Sequence, residues 1–174
     1  MTATEYVILV DANNHEIGTA EKMAAHQQNL LHRAFSVFIF RDAQGLELLL
    51  QKRALSKYHS PGLWTNTCCS HPRQGEAMLA AGARRLQEEM GLTGVSLQDK
   101  GWFHYNAHFE NGLSENEIDH VLVGKIGADL DFTPNPDEVA DTRWVTLPAL
   151  EAEMAANPER FTPWLKAALR LAMG

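Results

Sequence analysis

Residues 76–90, EAMLAAGARRLQEEM, are the segment that most constrains the fold. Ala, Leu, Met, Arg, Gln and Glu dominate it, all strong helix formers. Gly75 precedes it and Gly91 follows, where a glycine suits a left-handed helix cap. The sequence on either side reads as strands. Residues 5–11 (EYVILVD) are apolar and β-rich, and 12–18 (ANNHEIG) are turn material. Residues 21–28 read as a short helix. Residues 32–42 and 46–53 read as strands joined by a short AQG turn, a hairpin pattern. Residues 56–64 form a loop punctuated by Pro61 and Gly62, and 65–71 a further strand. Beyond the helix, strands are expected at 101–109, 117–126 and 141–147, with a loop at 134–138. The tail from Leu147 to Met173 reads as one or two helices broken near Pro158 and Pro163. Strands around a central helix, closed by terminal helices, predict an α/β (α+β) fold. The expectation is a mixed sheet sandwiched between helices, one domain over residues 1–174.

Composition narrows the function. A chain of 174 residues can bury roughly 70% of its unfolded surface without staples. With 45% hydrophobic and 21% charged residues it is neither a disordered tail nor a collagen-like rod nor a coiled coil. A net charge of −7 argues against nucleic acid, which demands a basic footprint. No apolar run reaches the length of about 18 residues expected of a membrane span. The first residues lack the basic and apolar regions of a secretory signal. Cys68 and Cys69 are adjacent, and neighbouring Cα atoms lie about 3.8 Å apart, closer than a disulfide usually spans. Two free thiols point to a reducing compartment, the cytosol. There is no C-x-x-C pair to suggest a Cys-rich zinc site.

There are eight histidines. Side chains alternate across a strand, so Cys69 and His71 share one face and Cys68 takes the other. Glu115 and Glu117 in SENEID share a face in the same way. His26 and His32 are six apart, which suits a helix end and the start of the next strand. Together, three imidazoles and two carboxylates suit a nearly octahedral divalent ion, with Mg²⁺, Mn²⁺ and Zn²⁺ all chemically possible. His15 and His59 fall in turn-like segments and receive no role; His104, His108 and His120 stay open. A free cysteine is most often a small buried hydrophobe, and that reading stands beside any reactive one.

Residues 70–92 also follow the pattern G-x5-E-x7-R-E-U-x-E-E-x-G-U, the Nudix box, where U is apolar. Glu76, Arg84, Leu86, Glu88, Glu89, Gly91 and Leu92 take their places in it. Two positions depart: Ser70 stands for the usual Gly and Arg85 for a usual Glu. Paired glutamates at a surface helix end are common, but a match over this whole span is specific. Carboxylates on one helix suit Mg²⁺, which prefers carboxylate and phosphate oxygens. Arg85 removes a metal ligand and adds a phosphate clamp, so the box is expected to hold a diphosphate without cleaving it.

From Glu21 to Trp164 the chain resembles the type 1 isopentenyl-diphosphate isomerase family, of Nudix-like fold. EKMAAH, LLHRAFSVFIF, QKRALSK, PGLWTNTCCSHP, the box, SENEID and FTPWL carry the resemblance. The resemblance implies an enzyme of isoprenoid biosynthesis that interconverts isopentenyl and dimethylallyl diphosphate through a tertiary carbocation. It implies Cys69 and Glu117 as the catalytic pair, with Tyr105 as an active-site residue. It implies His26, His32, His71, Glu115 and Glu117 as ligands of a divalent metal (Mg²⁺, Mn²⁺ or Zn²⁺). Glu89 is associated with the Mg²⁺ that helps hold the diphosphate. Lys22, Arg53, Lys57 and Arg85 are the implied diphosphate clamp, and Trp164 the aromatic face turned to the cation. The expected partner is a small prenyl diphosphate, on a monomer or weak homodimer in the cytoplasm. The alternatives are a Nudix hydrolase of a nucleoside or prenyl diphosphate and a non-catalytic diphosphate-binding module.

Overall fold

The computed structural model describes residues 4–43, 45–57 and 60–174. Among these, one sheet is built from β1 (Tyr6–Val10), β2 (Glu16–Glu21), β3 (His32–Asp42), β4 (Leu46–Arg53), β5 (Trp64–Thr65), β6 (Cys68–Ser70), β7 (Gln98–His108), β8 (Ser114–Lys125) and β9 (Val139–Thr146). The helices are α1 (Lys22–Gln27), α2 (Met78–Arg85), α3 (Leu147–Ala156) and α4 (Leu165–Met173). None is long and apolar enough to cross a membrane.

β3 organises the sheet. Its run AFSVFIF is buried throughout, as a strand covered on both faces must be. It pairs in parallel with β8, from His32 opposite Glu117 to Phe40 opposite Lys125. Its other edge pairs antiparallel with β6 at Phe35–Val37 and with β4 at Phe40–Asp42. Phe35, Val37 and Ile39 enter a core closed by Ala81, Leu86 and Met90. Phe38 and Phe40 enter a second core closed by Leu150, Leu165, Ala168 and Leu169 of α3 and α4. Helices thus cover both faces of a mixed sheet, as the order of elements predicts. Each fully buried large side chain contributes about 1.5–3 kcal/mol.

β3 and β4 pair only at one end, and residues 64–70 fill the gap between them. The strand expected over 65–71 is therefore split: β5 joins β4 and β6 joins β3. Buried side chains replace the missing ladder between the halves. Asn66 Nδ2 donates to the carbonyls of Val37 (3.1 Å) and Cys68 (2.9 Å). Thr67 Oγ1 donates to Leu49 O (2.7 Å) and accepts from Ile39 N (2.9 Å), while Gln51 Nε2 donates to Thr67 O (2.7 Å). Buried backbone groups left unpaired would each cost about 1–3 kcal/mol, so these polar side chains are structural.

Two further elements differ from expectation. β2 lies where turn material is expected at 12–18 and the first residue of a helix at 21. It is an edge strand with mostly exposed side chains, so it carries no apolar alternation. The central helix starts at Met78 rather than at 76, because Glu76 accepts from Arg73 N (2.9 Å) and belongs to the preceding turn. Residues Leu86–Met90 continue α2 as a π-helical turn, which sends Leu86, Glu89 and Met90 inward and Glu88 outward. Gly91 ends it with φ +68, and a Cβ there would stand 2.4 Å from the Thr133 carbonyl oxygen, so only glycine fits.

Candidate functional site

A cavity of about 790 Å³ opens on the sheet face that carries Ser36 of β3. Period-two alternation supplies its floor. Glu115, Glu117 and Asp119 come from β8 and Cys69 from β6, and Trp164, at the start of α4, forms one wall. Cys68 turns the other way into the α2 core and is fully buried. The two adjacent thiols therefore occupy opposite faces, as alternation predicts.

His26 at the end of α1, His32 at the start of β3 and His71 just beyond β6 converge. Their ligand nitrogens all lie within 4.8 Å of one another. His26 Nδ1 donates to Ser114 O (2.9 Å) and His32 Nδ1 to Leu30 O (2.8 Å). A carbonyl only accepts, so these bonds fix the proton on Nδ1 and leave Nε2 as a lone-pair donor. Glu117 Oε2 lies 2.9 Å from His71 Nε2 and 3.2 Å from His32 Nε2. Burial, then the neighbouring His32, push His71 well below the usual imidazole range. Burial lowers His26 also. Burial opposes protonation of His32, but its bond to Glu117 and that carboxyl's charge outweigh it and raise its pKa. Burial works to raise Glu117 too; the bond to His32 and its charge prevail and hold it below the usual range. With the His26 and His32 Nδ1 protons on carbonyls, the three imidazoles and the Glu117 carboxylate make a donor set that fits a divalent metal. Glu115, also buried, lies on the same strand face as Glu117.

The Cys69 thiol sits beside this group. Its Sγ is 3.3 Å from Asn66 Oδ1 and 3.7 Å from Ser36 Oγ. Burial, with the Asp119 charge adding to it, pushes the thiol up to about 12, so it holds its proton at neutral pH. Asn66 Oδ1 also accepts from Trp164 Nε1 (3.1 Å), tying the indole to the thiol's surroundings. Tyr105 on β7 is the register partner of Glu117 and packs edge-on against Trp164, ring centroids 5.9 Å apart. Its hydroxyl is buried with no hydrogen-bond partner among the described residues, and burial with the charge of Glu115 raises its pKa.

All four expected clamp cations line the cavity. Lys22 pairs with Glu5 (3.1 Å), and Lys57 with Glu138. Arg85 reaches Glu88 (3.4 Å), Glu89 (3.4 Å) and Glu138 (3.6 Å). Arg53 stands 5.5 Å from the Trp164 ring centre. Glu89 lies beneath Arg85, only 3% exposed and apart from the three imidazoles. Its Oε2, the oxygen that faces Arg85, accepts no hydrogen bond among the described residues, and burial raises the Glu89 pKa against the pull of Arg85. A buried carboxylate oxygen that accepts no hydrogen bond, beside a cation-lined cavity, fits a metal ligand. Arg84 is committed elsewhere in the box, to Glu76 (2.8 Å) and Glu88 (2.9 Å).

His15, His104 and His120 pair away from this site. His15 bonds Asp11, His104 bonds Asn116, and His120 bonds Asp99 and Asn14. His108 ends β7, and His59 lies outside the described residues. Sequence reasoning missed Glu138, Asn66, Ser36 and Asp119. Carrying the alternation of Glu115 and Glu117 one step further would have found Asp119.

A family model of the NUDIX domain matches residues 30–165. The fold is shared with a crystal structure of a Deinococcus radiodurans protein at TM-score 0.74 and 21% identity, covering 98% of this chain and 100% of that one. It is also shared with the MutT protein of Methanosarcina mazei at TM-score 0.62 and 19% identity, covering 81% and 92%. The chain belongs to the Nudix family. Among curated relatives, isopentenyl-diphosphate Delta-isomerase of Aliivibrio fischeri is 51% identical over 165 residues, 92% of this chain and 91% of its own length. The Photobacterium profundum protein of the same name is 51% identical over 172 residues, 98% and 95%. Within the Nudix family, the chain belongs with the isopentenyl-diphosphate Delta-isomerases.

Proposed function

We propose that residues 1–174 act as one unit that interconverts isopentenyl diphosphate and dimethylallyl diphosphate. The observation that carries this reading is the meeting of Cys69 and Glu117 from two strands on one cavity floor, with four cations around them. The reaction adds a proton to one end of an unactivated alkene and removes another across the allylic system. It therefore needs one group that holds a proton and one that accepts it. The Cys69 thiol is held protonated by its burial, and Glu117 is held ionised by His32.

The intermediate is a tertiary carbocation that water would trap, so the floor must be dry. The nearly complete burial of Trp164 and Glu117 suits that need. Trp164 offers a π face to the cation, worth about 2 kcal/mol when desolvated. Tyr105 stands beside Glu117 across the β7–β8 pairing and packs edge-on against Trp164. Lys22, Arg53, Lys57 and Arg85 bind the diphosphate, whose binding energy positions the short hydrocarbon. Local clustering offsets the net charge of −7, because charges beyond about 8 Å are screened at physiological salt. A divalent ion on His26, His32, His71, Glu115 and Glu117 (Mn²⁺ or Zn²⁺, with Mg²⁺ chemically possible), and Mg²⁺ near Glu89, would supply fixed positive charge beside the catalytic carboxylate and the diphosphate.

A hydrolase would need the box carboxylate that Arg85 replaces. Here the guanidinium instead pairs with Glu88, Glu89 and Glu138. Incubating the metal-loaded chain with isopentenyl diphosphate tests the reading, with product and free phosphate followed together. Dimethylallyl diphosphate without phosphate release is expected. Phosphate release without the allylic isomer would contradict it.

A further inference from the structure

Three neighbouring strands set Cys69, Ser36 and Asp119 side by side. Cys69 on β6 is the register partner of Ser36 on β3, and Asp119 on β8 lies across β3's other edge, opposite Ala34. Ser36 is 1% exposed and Asp119 2%. Burying a hydroxyl and a carboxyl costs free energy unless they are paired, and both abut the cavity rather than the apolar core. Ser36 Oγ lies 3.1 and 2.9 Å from the two Asp119 oxygens and 3.7 Å from Cys69 Sγ. A serine hydroxyl has one proton to give. Given to the Asp119 carbonyl oxygen, which accepts whether or not the carboxyl is protonated, it leaves a lone pair facing the thiol. The thiol's other acceptor, Asn66 Oδ1, already takes Thr65 Oγ1 (2.8 Å) and Trp164 Nε1 (3.1 Å).

We propose that Ser36 and Asp119 are positioning residues for Cys69: Asp119 orients the Ser36 hydroxyl as an acceptor, and Ser36 holds the thiol in place on the cavity floor. Without the Asp119 acceptor, the Ser36 proton is free to turn onto the sulfur, and the thiol loses the partner that fixes its direction. A misplacement of about 1 Å costs on the order of 100-fold in rate. The two residues act in series, one through the other, so their effects are not additive.

The inference rests on the isomerase reading, and its test measures kcat and KM for isopentenyl diphosphate separately, with thermal unfolding as a check of folding. Ser36→Ala and Asp119→Ala are expected to lower kcat about 10–100-fold with KM within about twofold. Asp119→Asn keeps an accepting oxygen and is expected to retain kcat within about threefold. The Ser36→Ala/Asp119→Ala double variant should be no worse than the poorer single one. An unchanged kcat in Ser36→Ala would overturn the proposal. So would an Asp119→Asn variant as impaired as Asp119→Ala, since the carboxyl would then act by more than accepting. Additive losses in the double variant would overturn it too. If Asp119→Ala fails to fold, Ser36→Ala and Asp119→Asn decide. A wild-type chain that makes no allylic isomer would sink the isomerase reading and this one with it; an active wild type with unaffected variants would sink this one alone.

Discussion

On one face of β3, Phe35, Val37 and Ile39 pack with α2 and its π turn into a core of buried apolar side chains. On the other face, Phe38 and Phe40 do the same beneath α3 and α4, but Ser36 two residues earlier meets Asp119 and Cys69. The second face is half core and half site, and the change occurs within one step of the alternation. Apolar packing on the first face holds the strands in register; that rigidity lets the second tolerate buried imidazoles, carboxyls and a thiol. Cys68 and Cys69 bring the comparison to adjacent residues, one in each environment.

Five changes break or sharpen this contrast. Cys69→Ala should leave the fold intact and lower the isomerisation rate about 100- to 10,000-fold, as expected for loss of a proton-transfer group. Cys68→Ser should keep the activity of the folded fraction while lowering stability by about 1–3 kcal/mol, the cost of putting a hydroxyl in an apolar core. Equal activity losses in the two would break the contrast.

Leu122→Ala removes a fully buried side chain that packs against Gly82 of α2. Denaturant unfolding should show a loss of about 2–5 kcal/mol, with kcat of the folded protein unchanged. A fallen kcat would show that the two faces are not separable.

Glu89→Gln lies between the faces. It should raise the Mg²⁺ and substrate concentrations needed for half-maximal rate by about 10-fold, and an unchanged Mg²⁺ dependence would remove Glu89 from the site.

The smallest effect concerns pH in the metal-free chain. His26 and His71 sit below the ordinary 6.5, so the unfolded chain binds protons that the folded one refuses. Their contribution to stability is lost as pH falls below about 6.5. His32, held above 6.5 by Glu117, acts in the opposite sense, contributing below 6.5 and fading as pH rises through its folded value. With two groups against one, the melting temperature should fall below pH 6.5, and His71→Asn should flatten that fall. A curve that His71→Asn leaves unaltered would contradict the assignment.

Much of this was legible in the chain. Helix formers between Gly75 and Gly91 announce the central helix, and alternation separates Cys68 from Cys69 and joins Glu115 to Glu117. What escaped was non-local. A strand that changes partners at Asn66 and Thr67 looks continuous, because nothing local marks the switch from β4 to β3. β2 escaped because an exposed edge strand needs no apolar alternation. Glu138 joins Lys57 and Arg85 across 81 and 53 positions of chain, a meeting that only the fold creates. The convergence of three imidazoles from α1, β3 and the segment after β6 is of the same kind: residue types and spacing suggested it, and the geometry that fixes the Nδ1 protons of His26 and His32 did not show in the sequence.

The central claim is that the mixed face moves protons and leaves the diphosphate whole. The most direct measurement is isomerisation in heavy water with mass analysis of the five-carbon diphosphates and a parallel phosphate assay. The account predicts deuterium entering the carbon skeleton with wild-type protein, at a rate at least about 100-fold lower with Cys69→Ala, and no phosphate release in either. Phosphate release without deuterium uptake would contradict it.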